Sequence, residues 1–182
     1  MADLLLRPLA ESDLDAVQAL TGEAASGFNW SGHRTMQALR ERFDRDGYLG
    51  PEDGWLVISD ATSAVLGTVG WNAVEWSRPP YSRAWNLGIT VAPAERGRGV
   101  GTAAHVLLAE YLFLTTSVRR VEAVTNAANL AERSALTKAG FSPEGVLRKA
   151  EFRFGDWHDL HMFSLLRDEW TVKRQALPPD AT

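Results

Sequence analysis

Cysteine is absent from this 182-residue chain, and the gap removes several chemistries at once. There is no disulfide framework, no thiolate metal site and no cysteine nucleophile, so acyl transfer through a cysteine-bound intermediate is excluded. No Gly-x-Ser-x-Gly elbow occurs either, which leaves no recognisable serine nucleophile. Apolar runs of membrane-spanning length are also missing. The first apolar stretch, Leu4-Leu5-Leu6, is too short for a secretory signal and is preceded by an acid where a base is expected. A cytoplasmic protein with no membrane partner is the simplest expectation. Positive charge is in deficit, with 19 Lys and Arg against 23 Asp and Glu and a sequence pI near 5.6. A nucleic-acid partner is therefore not expected, and the acidic balance leans toward a cationic ligand.

What is present describes a soluble globular chain, 45% hydrophobic and 23% charged. The length suits one domain, expected over residues 1–170, with a loose tail over 171–182 that contains Pro178-Pro179. Alternation and turn residues predict strands at 4–7, 55–59, 65–76, 83–91, 121–125, 145–154 and 157–166. In the fourth, Trp85, Leu87, Ile89 and Val91 share one face, and Asn86, Gly88 and Thr90 the other. Helices are predicted near Ser12, over 33–44, from Val100 to Leu112 and over 129–139, the last closed by Gly140. The third has an apolar stripe at Val100, Ala103, Ala104, Leu107, Leu108, Tyr111 and Leu112. Gly155-Asp156 reads as a two-residue hairpin turn.

The most informative stretch follows the fourth strand: Arg96-Gly97-Arg98-Gly99-Val100-Gly101-Thr102. Glycines at alternate positions permit a tight turn and close backbone approach to a ligand. The amides that open the helix have no acceptor within it and carry the positive end of its dipole, which suits a phosphate or pyrophosphate. A P-loop is disfavoured because Gly-Lys-Ser/Thr is missing. The dinucleotide fingerprint is disfavoured because Thr102 stands where its third glycine belongs.

The hexamer Arg96 to Gly101 resembles the pyrophosphate-binding motif of the GNAT N-acetyltransferases. A second motif, from Thr125-Asn126 through Asn129 to Gly140-Phe141, and the closing stretch Asp159 to Trp170 resemble the RimJ/RimL-like branch. Leu6-Arg7-Pro8-Leu9 with Asp13-Leu14 resembles that branch's opening. The resemblance covers residues 4–170 in order. It implies an α/β fold of the α+β type: a mixed, mostly antiparallel sheet of about seven strands, flanked by helices and splayed at strands 4 and 5. Acetyl-CoA is the implied co-substrate, with no metal. Backbone groups of Ile89 and Val91 would pair with the pantetheine arm, Arg96, Gly97, Arg98, Gly99, Val100, Gly101 and Thr102 would hold the pyrophosphate, and Asn129 would hydrogen-bond the cofactor. Asn129 also suits a helix cap. A homodimer is implied as well.

Acetyl transfer to an amine needs a neutral nucleophile and a proton for the leaving thiolate, and direct attack in a ternary complex is the expected route. The strand position that carries Glu in many relatives is Asn86 here, and Asn takes no proton. Glu75, Glu151 and Glu132 remain as carboxylates that could act through water, Glu132 on the helical face of Asn129. The position of the family's frequent proton-donating Tyr is Leu136, and Ser134 lies nearby on another face.

An acceptor pocket is expected from Phe28, Trp30, Trp71, Asn72, Asn86 and Glu151, which combine aromatic walls with a few polar groups. Trp71, Trp76, Trp85 and Trp157 also suit core or dimer contacts. His158 and His161 fall on opposite strand faces, which disfavours a shared metal, and His161 is expected to pair with Asp159. His33 reads as a loop residue and His105 as a helix-surface residue. Two function classes stay open: an N-acetyltransferase acting on a protein amino terminus or small-molecule amine, and an acyl-CoA-binding module with weak or lost catalysis, serving as a sensor or interaction protein.

Overall fold

The computed structural model describes residues 4–22, 27–29, 34–78 and 82–175. Its elements are β1 (Leu5–Arg7), α1 (Leu14–Leu20), α2 (Met36–Asp46), β2 (Asp53–Ser59), β3 (Val65–Glu75), β4 (Arg83–Val91), α3 (Val100–Thr115), β5 (Arg120–Asn126), α4 (Leu130–Ala139), β6 (Ser142–Arg153), β7 (Asp156–Leu166) and α5 (Arg167–Gln175). The strands form one sheet in the order β1-β2-β3-β4-β5-β7-β6. Every neighbouring pair is antiparallel except β4 with β5. This is the expected mixed α/β architecture.

The parallel pair is short. Trp85, Leu87 and the residue between them stand opposite Val121, Ala123 and Glu122, and the β4–β5 register ends there. Residues 88–91 of β4 stay paired with β3, as in Val69 opposite Ile89 and Gly67 opposite Val91, while β5 continues along β7 as far as Asn126 and Leu160. The expected splay of strands 4 and 5 is this divergence.

Strand alternation sorts side chains between two cores. Leu56, Ile58, Val69, Trp85, Leu87 and Ile89 face α3, where Leu108, Leu112 and Phe113 are buried. On the other face Val57 packs with Leu9, Val17 of α1, and Leu39 of α2. Burial of such apolar surface is the main stabilising term, about 25 cal/mol per Å².

Several local expectations are corrected. Ser12 falls inside a short turn, Glu11–Asp13, and α1 starts only after it; the Asp13 carboxylate holds that turn by accepting from the Ala10 amide at 2.8 Å and from both Arg7 terminal nitrogens at 2.6 and 2.9 Å. Helix α2 begins after Thr35, whose hydroxyl accepts from the Ala38 amide, and runs to Asp46 rather than Asp44. The hairpin turn is Phe154-Gly155, both at positive φ (50° and 84°), as a two-residue type I′ turn requires. The chain expected to loosen at Thr171 instead continues as α5 to Gln175, with Trp170 against Phe113 at 5.3 Å. Trp71 and Trp85 are buried, but Trp76 and Trp157 are more than half exposed.

His105 is 1% exposed rather than on the surface, because the buried side of α3 is turned toward α4. Asp159 does not take up His161; it accepts from the Lys149 amide at 2.8 Å. Trp30, His33 and Pro178-Pro179 lie outside the described residues. No helix among the described residues is long and apolar enough to cross a membrane.

Candidate active site

Beyond β4 the chain makes a short turn at Pro93–Glu95 and then passes Gly97 and Gly99, at φ 73° and 84°, into α3. A side chain at either glycine would hold that left-handed backbone at a cost of about 1–2 kcal/mol. The first intrahelical bond runs from the Ala103 amide to the Gly99 carbonyl at 3.1 Å. The amides of Val100, Gly101 and Thr102 therefore precede the helical ladder and line up at the positive end of the dipole.

These residues form one wall of a cleft of about 480 Å³ between β4 and α4. Ile89, Val91, Arg96, Gly97, Gly99, Gly101, Thr102, Asn129, Glu132 and Ser134 line it, together with Phe28 from the short turn Gly27–Asn29. Two residues of the glycine run do not present side chains here. Arg98 turns outward to Glu95 at 2.6 Å, and Val100 is 6% exposed within the core. The cleft has open space above Gly97 and only ordinary contact distances at Gly101, 3.9 Å to the Ala135 Cβ. A chain of phosphates and amides fits such a cradle, because the glycines bring backbone N–H groups to its surface.

Asn129 caps α4: its Oδ1 accepts from the Glu132 amide at 3.2 Å. Glu132 in turn lies 2.7 Å from Nε2 of His105, with His105 buried and the Glu132 side chain 20% exposed toward the cleft. The pair fixes the carboxylate's orientation. Sequence reasoning did not find this partner, since periodicity within α3 says nothing of what α4 lays across it. Leu136 is fully buried and Ser134 is exposed in the cleft.

A second cavity, about 270 Å³, lies on the α1 side of the sheet. Register explains it. Trp55 of β2, Gly70 of β3 and Gly88 of β4 stand in one cross-strand row. The Trp55 indole lies across Gly70, where an added Cβ would meet its Cδ1 at 2.6 Å, whereas a Cβ at Gly88 would meet nothing within 4 Å. The two glycines thus leave a trough floored by backbone and walled by indole. Val17, Leu20 and Thr21 roof it, and Asn72, Arg34 and Asp53 complete the rim. The trough and the glycine cleft share Ile89 and Thr90.

The expected acceptor residues are divided between these spaces. Trp71 and Asn72 line the trough, but the Trp71 ring mainly fills the core, across Gly54 and 5.6 Å from Tyr111. The aromatic wall is Trp55. Asn86 lies opposite Asn72 on the trough's face of the sheet. Phe28 belongs to the glycine cleft, with the Arg153 guanidinium 5.9 Å over its ring. Glu151 is held by Arg153 and accepts from the Asn126 side-chain Nδ2 at 2.8 Å.

Glu75 is not brought to either space. It sits at the end of β3 remote from the glycine turn, paired with Arg83 at 2.8 Å. A carboxylate missed in the sequence, Glu122, is opposite Asn86 on β5, yet it is 2% exposed and engaged by Arg120 and Trp76 at 2.6 and 2.9 Å.

A strand, a glycine turn and a helix whose first amides have no partner within the helix lie beside a splayed parallel pair. The chain belongs to the acetyltransferase (GNAT) domain family, whose profile matches residues 3–142, and acetyl-CoA is that family's co-substrate. Among curated relatives, the probable N-acetyltransferase YjcK of Bacillus subtilis is 32% identical over 136 residues, 75% of this chain and 71% of its own length. The uncharacterized N-acetyltransferase p20 of Bacillus licheniformis is 29% identical over 121 residues, 66% of each. The chain therefore spans about two thirds of these relatives' lengths. In fold it is similar to a spermidine N-acetyltransferase from Vibrio cholerae, solved in complex with CoA and spermine, at a TM-score of 0.81 and 19% identity, covering 92% of this chain and 98% of that one.

Proposed function

We propose that this protein transfers an acetyl group from acetyl-CoA to a primary amine in a ternary complex. The cofactor is assigned to the glycine cleft and the amine to the Trp55 trough. The observation that carries the reading is that two separately built spaces, one suited to an anion and one half apolar, share Ile89 and Thr90 on the splayed half of β4. Holding two reactants on opposite sides of one strand supplies rate through proximity.

Bound acetyl-CoA supplies the activated thioester. In this reading the backbone of residues 97–102 holds the pyrophosphate, and Ile89 and Val91 align the pantetheine amides as an added strand. Glu132, oriented by His105, takes the ammonium proton through water, so that the amine lone pair is free to bond to the thioester carbonyl carbon as the carbon–sulfur bond breaks. The nitrogen then releases its second proton to water as the amide forms; no protein acid stands at Leu136, and the thiolate takes its proton from solvent. The acetyltransferase fold is assigned to one domain, with α5 as its last element among the described residues.

The test is release of free thiol from acetyl-CoA across a panel of amines, beside thermal melts with and without acetyl-CoA. Turnover, and a melting shift lost in Gly99→Asp and Gly101→Asp, supports the reading. A shift without turnover leaves a cofactor-binding module, and a wild-type shift retained by both variants removes the site assignment.

A further inference from the structure

If the trough takes the amine, its charge selects among amines; this inference rests on the acetyl-transfer reading. The lining carries charge at Arg34 and Asp53. Asp53 is already engaged, because Arg42 clamps both its oxygens at 2.9 and 2.8 Å, the planar fork that a guanidinium makes best. Arg42 also holds Asp46, which Arg45 shares at 3.2 Å. These two arginines and two aspartates sum to no net charge.

Arg34 is different. It pairs with no carboxylate among the described residues, and its guanidinium lies 5.0 Å from the centre of the Trp55 ring. Trp55 stacks on Tyr48 at 5.2 Å, and Arg42 covers Tyr48 at 5.4 Å. The trough's aromatic wall is thus fixed in a row of four side chains with cationic groups at its ends. Its other polar groups, Thr21, Thr68, Thr90 and Asn72, are neutral.

We propose that the acceptor is a primary amine that also bears a carboxylate, its nitrogen at the Ile89 and Thr90 opening and its carboxylate toward Arg34. A second ammonium is repelled there, and a carboxylate meets a cation beside low-dielectric walls. The chain's net charge of −4 points the other way. Local charge prevails because exposed charges beyond about 8 Å are largely screened at physiological salt.

The experiment measures thiol release from acetyl-CoA with glutamate, 4-aminobutyrate and a peptide beginning with Asp, against butylamine, spermidine and a peptide beginning with Lys. Arg34→Gln and Arg34→Glu are run in parallel; Arg34 is exposed, so neither variant disturbs a packed core. The expected result is a kcat/KM about tenfold or more higher for the carboxylate-bearing amines. That preference is lost in Arg34→Gln and inverted in Arg34→Glu, through KM rather than kcat. Turnover of the Asp peptide alone assigns the carboxylate to a protein amino terminus, and turnover of the free amino acids assigns it to a small molecule. Preference for spermidine in the wild type, or an unchanged preference in Arg34→Glu, overturns the inference and leaves acetyl transfer standing. Absence of thiol release with all six, while acetyl-CoA still raises the melting temperature, overturns both.

Discussion

Gly88→Leu separates the two spaces with one substitution. Gly88 has an ordinary strand backbone, and a Cβ there meets nothing within 4 Å. The added side chain enters a trough of about 270 Å³ roofed by Val17 and Leu20. Replacing a strand glycine removes unfolded-state freedom worth about 0.5–1 kcal/mol. The new methyl groups also bury against apolar neighbours. The protein is therefore expected to melt roughly 2–4 °C higher, the shift that about 1 kcal/mol produces in a domain of this size. The acceptor meanwhile loses the space. Excluding even two methylene-sized contacts costs about 1.6 kcal/mol at ~0.8 per methylene, so acceptor KM should rise more than about tenfold. Acetyl-CoA lies across the strand in this scheme, and its thermal shift should match wild type. The measurements are a melting curve with and without acetyl-CoA and steady-state kinetics with a varied amine. An unchanged acceptor KM in a folded, stabilised variant would show that the amine does not cross Gly88, and the trough would lose its assignment.

Asn129→Ala should lower stability by about 1 kcal/mol through loss of the cap on Glu132; a cofactor Kd weakened a further few-fold in titration would add a contact to acetyl-CoA, and an unchanged Kd would restrict Asn129 to capping. Glu132→Gln should depress kcat while sparing cofactor affinity, and Glu75→Gln should leave both unchanged; the reverse pattern would move the base to β3. The Arg120 guanidinium, with help from the Ser164 hydroxyl, holds Glu144 down to about 2. Its folded value is below its unfolded one, so the stabilisation is full above pH ~4.5 and is lost as pH falls toward 2. Because Glu144 is 38% exposed, about 1 kcal/mol is expected after screening. Glu144→Gln should flatten the decline in urea stability between pH 5 and 2, and an unaltered slope would remove that pair from the acid response.

Strand β4 could be read to the residue because Arg83 to Val91 combines β-branched alternation with clear breakers on either side, and period 2 is a local property. The glycine turn was legible for the same reason: positive φ is written into glycine itself. The trough was not. It exists because Trp55, Gly70 and Gly88 align across three strands, and no window of sequence contains that register. Of the stripe expected on α3, Val100, Ala104, Leu108 and Leu112 are buried, while His105, Ala109 and Phe113 take the burial expected of Ala103, Leu107 and Tyr111. Ser12 lies inside the short turn Glu11–Asp13 rather than at the start of α1, because the Asp13 carboxylate ties that turn to the Ala10 amide and to Arg7 on β1. Each miss is an interaction between elements that local pattern does not contain.

Edge strand β6 carries two register shifts, between Pro143 and Gly145 and between Leu147 and Glu151, with Lys149 at φ 50°. At the opposite edge β1 has three residues. Neither border offers a long, flat row of backbone donors and acceptors, the template on which foreign strands stack into aggregates. Val146, Leu147, Phe152 and Phe154 are nonetheless exposed along that bulged border. The sheet is thus poorly extensible by strand addition, and any association at that side has to be written in side chains, where it can be specific, rather than in peptide bonds, where it would accept any extended chain.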